Sequence, residues 1–133
     1  MEWSENLSVG VEEIDEQHKE LIHRVNEFYM AIKQNKSKDE ALRILKYLSS
    51  YVVVHFADEE RLQVKYNYPG YLEHKKIHTE FIKSVKELTA SVEQDGVNSM
   101  TFMSIGATLS NWLITHISQQ DKRIGAHLDT ILQ

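Results

Sequence analysis

The chain has 133 residues, 41% hydrophobic and 26% charged, which suits one globular domain with one core and excludes two domains of ordinary size. Twenty Asp and Glu against 15 Lys and Arg give a net charge of −5, so a basic face for a phosphate backbone is not expected and nucleic acid is excluded as a partner. The absence of cysteine excludes disulfides, thiolate metal sites, iron–sulfur clusters and cysteine nucleophiles.

The start, Met1-Glu2-Trp3-Ser4-Glu5-Asn6, is acidic and lacks the apolar stretch of a signal peptide. No apolar run is long enough to span a bilayer, so a soluble, cytoplasmic protein without membrane insertion is expected. An arm of residues 1–11 carries Trp3 and alternates Leu7, Val9 and Val11, with Gly10 marking its close. With no partner strand, it is expected to lie against the rest of the chain. One proline and five glycines favour long helices, because both residues break them. The first helical segment carries His18, Leu21, Val25, Phe28 or Tyr29, and Ile32 on one stripe, and Asn35-Lys36-Ser37-Lys38 ends it. Ser37 with Glu40 forms a capping box that opens the second segment. That segment carries Leu45, Leu48, Val52, His55, Glu59, Leu62 and Tyr66 in steps of three and four. Asn67-Tyr68-Pro69-Gly70 is the strongest turn signal in the chain. The third stripe is His74, His78, Phe81, Val85, Leu88 and Val92, ended by Asp95-Gly96 and Asn98-Ser99. The fourth is Phe102, Ile105, Leu109, Trp112 and His116, which then drifts to Ile117, Asp121, Ile124, Leu128 and Ile131. Four segments joined by short connections predict an all-α, up-down-up-down antiparallel four-helix bundle over residues 12–131, one domain with its arm.

The stripes contain a contradiction. His18, His55, Glu59, His74, His78, His116 and Asp121 occupy positions that should be apolar, and every helix contributes at least one. Burying an unpaired carboxylate or imidazole costs several kcal/mol. Seven such groups approach the whole stability of a domain, about 5–15 kcal/mol. Metal ions offset that cost directly, because neutral imidazole and carboxylate are their normal ligands. His55 with Glu59, and His74 with His78, are i and i+4 pairs that present two ligands from one helix face. His116 and Asp121 are five apart, which on a regular helix points them away from each other; only the drift of the stripe returns Asp121 to the core side. His23 and His127 do not join the set and read as exposed or rim residues. Glu20-Leu21-Ile22-His23 matches the Glu-x-x-His motif of ferritin-like carboxylate sites, but stands alone where two are needed, and reads as a decoy.

Val9-Gly10-Val11 with Ile14-Asp15-Glu16-Gln17-His18, the His55-x-x-x-Glu59 and His74-x-x-x-His78 pairs, the Tyr68-Pro69-Gly70-Tyr71 run, and Trp112-Leu113-Ile114-Thr115-His116 with Asp121-Lys122 together carry a specific resemblance. The chain resembles the hemerythrin family, in its bacterial single-domain form, the bacteriohemerythrins, from Trp3 to about Leu128. Gln63 departs from the pattern: related sequences often carry methionine there, and the position lies outside the ligand set. The resemblance implies two non-haem iron ions with an oxo or hydroxo bridge, binding dioxygen reversibly. It implies His74, His78 and His116 on one iron, His18 and His55 on the other, and Glu59 and Asp121 bridging both. Two octahedral ions offer twelve positions; five imidazoles, two bridging carboxylates and one bridging oxygen fill eleven. The open position then falls on the ion held by two histidines, where dioxygen would bind. Leu21, Phe56, Trp112, Leu113 and Ile117 lie within one helical turn of a ligand and are the expected dry wall of an oxygen pocket.

The implied function is oxygen carriage, storage or delivery without enzymatic turnover. A spare general acid or base is not visible in the stripes. Alternatives on the same scaffold are oxygen or redox sensing through a partner and a di-iron enzyme acting on peroxide or nitric oxide. An oxygen-consuming enzyme or an electron donor is the partner class such roles call on. The donor set itself would also accept zinc or manganese.

Overall fold

A computed structural model describes residues 2–34, 38–95 and 99–132. Helix α1 spans Glu12–Lys33, α2 Lys38–Lys65, α3 Tyr71–Asp95 and α4 Ser99–Thr115; one π-helical turn, His116–Asp121, carries the last into α5, Lys122–Leu132. The fourth bundle member is thus α4, the π turn and α5 in line. The arm holds a single 3₁₀ turn, Glu5–Leu7. Among the described residues there is no strand, and no helix is long and apolar enough to cross a membrane. The expected antiparallel four-helix bundle is what forms.

Local chemistry explains the ends. The residue before α1, Val11, has no side-chain oxygen for capping, but Glu12, Glu13 and Asp15 in the first turn complement the positive helix end. Asp15 also ties down the arm: its carboxylate accepts the Val9 N–H at 2.8 Å and the Ser8 hydroxyl at 2.5 Å. Between them Gly10 takes φ +82°, which favours glycine. At the end of α2, Asn67 adopts φ +54°, while Tyr68 N–H reaches Gln63 O at 2.8 Å and Asn67 N–H reaches Val64 O at 3.3 Å. This is a Schellman closure with asparagine in the left-handed place. Pro69 and Gly70 follow, and His74 N–H to Gly70 O, 2.9 Å, opens α3. Ser37 of the expected capping box lies outside the described residues, as do the breaks at 35–37 and 96–98; Glu40 pairs with Arg43 at 2.6 Å.

The apolar stripes meet as expected. Leu21, Val25, Phe28, Leu45, Leu48, Val52, Val85, Val92, Ile105 and Leu109 are buried in one core. Phe28 is the buried member of the Phe28/Tyr29 choice, with Tyr29 packed at the edge. The side chain of Phe102 lies outside the described residues. Ile131, placed on the drifted fourth stripe, is instead 46% exposed, because α5 outruns the core near its end. The arm lies on the bundle: Val9 is buried, and Trp3, Leu7 and Val11 pack on the core. It crosses α5 at Gly125, where an added Cβ would overlap the Val9 carbonyl oxygen. Helix α1 packs on α2 and α4, and α2 on α3. Helix α3 meets the fourth member through rings, His74 on His116 and Phe81 on Trp112.

Candidate metal centre

All seven polar stripe residues are buried: His18, His55, Glu59, His74, His78, His116 and Asp121 are each no more than 4% exposed. They converge as two overlapping groups. Glu59, His74, His78, His116 and Asp121 form one, and His18, His55, Glu59 and Asp121 the other; within each group the donor atoms lie within 4.8 Å of one another.

The two carboxylates belong to both groups, and each divides its oxygens between them. Glu59 Oε1 lies 3.2 Å from His18 Nε2 and 3.0 Å from His55 Nε2. Its Oε2 faces the other way, 3.4 Å from His78 Nε2 and 3.8 Å from His74 Nε2. Asp121 repeats the pattern, with Oδ2 3.0 Å from His18 Nε2 and Oδ1 3.1 Å from both His74 and His116.

The π turn brings Asp121 into place. Five residues of α-helix would rotate it about 140° away from His116. Closing hydrogen bonds from i to i+5 widens the turn by one residue, so His116 and Asp121 stack on one face. The drift of the fourth stripe is this one extra residue.

The protonation pattern identifies what the centre can hold. His55 Nδ1 lies 2.7 Å from Gln17 Oε1, an atom that only accepts, so the ring donates its Nδ1 proton there. His78 Nδ1 likewise donates to Glu60 Oε2 at 3.1 Å. When such a ring is neutral, its Nε2 is left with a bare lone pair. The His55 lone pair faces a Glu59 oxygen, and that of His78 faces His116 Nε2 at 2.9 Å. His74 Nε2 stands at the same 2.9 Å from His116 Nε2. Lone pairs crowded on one point repel unless a cation sits among them. His55 Nε2, Glu59 Oε2 and both Asp121 oxygens are buried without an aligned hydrogen-bond partner. The donor chemistry, imidazole nitrogen and carboxylate oxygen with no thiolate, fits a pair of iron ions.

Without metal, protons stand in. Burial pulls the His18 imidazolium down, but Asp121 and Glu59 beside it outweigh that and push its pKa up to about 9. Burial also works against a charged His116, and Asp121 raises it on balance. Burial disfavours the Glu59 charge, yet His55, His18 and His78 hold the carboxyl well below its ordinary range.

Aromatic rings roof the centre. Phe56 stacks on His78 at 3.7 Å, and Trp112 stacks on His116 at 4.5 Å and on Phe81 at 3.7 Å. Phe56 and Trp112 also wall an apolar cavity of about 20 Å³, together with Leu21 and Leu113. Ile117, expected in the same wall, is fully buried in the π turn but does not line that cavity.

The remaining sequence expectations separate cleanly. His23 is exposed, and Glu20 is paired with Arg24 at 2.7 Å, so Glu20-x-x-His23 faces outward. His127 donates from Nε2 to the Tyr66 carbonyl at 2.9 Å. Sequence reasoning assigned no role to the residues behind the imidazoles: Gln17 and Glu60, and Gln63, which it marked as a departure outside the ligand set. Gln17 also donates to Asp58 at 2.7 Å, and Asp58 accepts from Arg61 at 2.9 Å, so a chain of bonds runs from His55 to the surface. Gln63 is 1% exposed and 3.1 Å from His74 Nδ1. Its signal was its spacing, four residues after Glu59 on the core stripe.

Residues 9–128 match the Hemerythrin HHE cation binding domain family. The chain is 31% identical to a bacteriohemerythrin of Stenotrophomonas maltophilia over 96% of its own length and 83% of that protein's. It is 30% identical to a myohemerythrin of Riftia pachyptila, covering 95% and 92%. A crystal structure of wild-type hemerythrin superposes with a TM-score of 0.84 at 27% identity, covering 96% of this chain and 97% of that one.

Proposed function

The chain belongs to the hemerythrin family, whose members bind a non-haem di-iron centre, and from that premise we propose that it takes up dioxygen reversibly for carriage, storage or delivery in the cytoplasm. One observation carries the reading: Glu59 and Asp121 each turn one oxygen to the His18 side and the other to the three-histidine side. Two separate mononuclear sites would not need that division. We assign His74, His78 and His116 to one iron, His18 and His55 to the other, and Glu59 and Asp121 to both, with an oxo or hydroxo bridge. Counting the shared carboxylates, one side has five protein donors and the other four. The side held by His18 and His55, with fewer protein donors, is where dioxygen would find room.

When bound, the two irons supply the electrons that dioxygen takes up and returns. The chain's own residues keep that exchange dry. Leu21, Phe56 and Leu113 offer a water molecule no hydrogen bond in the cavity they wall, Trp112 offers at most its indole N–H, and an apolar cavity of this kind admits dioxygen. Ile117, next to His116, is fully buried and brings no polar group to the π turn. The acids nearest the set are engaged: Glu60 accepts from His78, and Asp58 from Gln17 and Arg61. That favours a carrier over an enzyme, which would need a free acid or base at the open position. The whole chain, arm 1–11 and bundle 12–131, is assigned as one domain.

The test is metal analysis with optical spectra through repeated cycles of air and argon. About two irons per chain are expected, in line with the dinuclear donor set, with a spectrum that changes in air and reverts in argon. One metal per chain, a zinc protein, or a spectrum that never reverts would overturn the proposal.

A further inference from the structure

We propose that Gln63 is the positioning residue for His74, accepting its Nδ1 proton so that Nε2 points bare into the donor set, and that this contact governs how long the adjacent iron is held. The inference rests on the di-iron reading above. Three of the five imidazoles have a side chain behind Nδ1: Gln17 behind His55, Glu60 behind His78 and Gln63 behind His74. The first two present an oxygen. At His74 the amide nitrogen of Gln63 stands 3.1 Å from Nδ1, while its oxygen, Oε1, is buried without a partner. A half-turn of the amide exchanges the two atoms in the same envelope. The oxygen then gains the Nδ1 proton, and all three rings obey one rule. In the other orientation the amide N–H would claim the Nδ1 lone pair, the ring proton would sit on Nε2, and His74 could not ligate.

His74 is also the donor nearest the surface. It is the most exposed of the seven, and it lines a polar, solvent-facing pocket of about 80 Å³ with Glu73, Gln120 and Arg123. On its Nε2 side the ring meets His78, His116 and Asp121, and on its Nδ1 side the contact is Gln63. Among the described residues, the amide of Gln63 is the side chain that meets His74 Nδ1.

The experiment compares wild type with Gln63→Met, which keeps the volume and removes the acceptor, and Gln63→Glu, which keeps an acceptor. Reduced, iron-loaded protein is mixed with a ferrous chelator without oxygen, and iron release is followed. The His74 Nδ1 proton is followed in parallel by NMR of histidine-labelled protein. In Gln63→Met one of the two irons should leave roughly 10–100-fold faster, the other at its wild-type rate, and the Nδ1 proton should exchange freely. Gln63→Glu should release iron no faster than wild type and keep the proton protected. Release of both irons from Gln63→Met at the wild-type rate would overturn the proposal. So would equal acceleration of both irons with a lowered melting temperature of the metal-free chain, the mark of lost packing alone. If Gln63→Met does not fold, accelerated release from Gln63→Glu overturns it instead. A wild type that never holds two irons sinks the di-iron reading and is distinguishable from each of these results.

Discussion

Raising the pH of the metal-free protein isolates the energy stored in its donor set. His18 is fully buried and lies 3.0 Å from Asp121 and 3.2 Å from Glu59, which lift its pKa from 6.5 to about 9. A histidine whose folded pKa exceeds its unfolded one stabilises the fold fully below about pH 6.5, and that contribution is lost as pH rises through about 9. From pH 7 to pH 9.5 the loss is about 2–3 kcal/mol. For a domain of this size that corresponds to roughly 10 °C in melting temperature. His116 is raised as well and acts in the same direction. His78 is lowered, burial being the main cause, so it is neutral in both states above pH 7 and leaves the window clean. The assay is thermal unfolding by circular dichroism of chelator-treated protein across that range. Iron-loaded protein is the control: metal has displaced the proton, so its melting temperature should hold steady. A metal-free melting temperature that stays flat or rises from pH 7 to 9.5 would refute the account of protons standing in for metal.

Glu59→Gln keeps the shape but removes a charge facing both sides of the centre, so loss of one or both irons and a lower melting temperature are expected; full iron with normal oxygen response would remove Glu59 as a bridge. His23→Ala and His127→Ala should leave iron content unchanged, since one side chain is exposed and the other donates to Tyr66, whereas His74→Ala should lower it; elemental analysis of the three variants decides. Leu113→Ala touches no ligand and should keep both irons, but it enlarges the apolar cavity and should cost roughly 2–5 kcal/mol. Water should then enter, and the variant should lose its reversible optical response in fewer cycles of air and argon. An equal number of cycles for variant and wild type, at equal iron content, would make Leu113 ordinary core.

Much of this centre is legible in the chain because buried polarity is expensive. A histidine at Leu-like spacing is conspicuous, and His55/Glu59 and His74/His78 need only helix geometry to be paired. His116 and Asp121 expose the limit of that geometry. Regular periodicity separates them, and the π turn that joins them leaves only an indirect mark in the sequence, the one-residue drift of the stripe from His116 to Ile117. The partners behind the rings were hidden for another reason. Gln17 and His55 lie 38 residues apart on different helices, so their contact depends on how α1 and α2 rotate against each other. Gln63 shared the stripe spacing and stood out as a departure, but an uncharged amide is not a metal ligand of the expected kind and its contact with His74 crosses from α2 to α3. The cavity is not written in any single residue, being what four helices leave unfilled.

The convergence of all four bundle members on one point also changes how the chain can come apart. It has no cysteine and hence no covalent staple. A loaded centre replaces one, fastening His18 to Glu59 across 41 residues and His78 to His116 across 38. Loops of that length, tied in the unfolded chain, are worth about 4 kcal/mol each in the chain-entropy account of cross-links. Unlike a disulfide, this fastening has an off-rate. No helix can leave the bundle until its donors let go, so the slowest event in unfolding becomes the departure of a metal ion rather than the melting of a core. The stripped chain opens without that wait and is the form that proteases meet first, which ties the lifetime of the polypeptide to the supply of its metal.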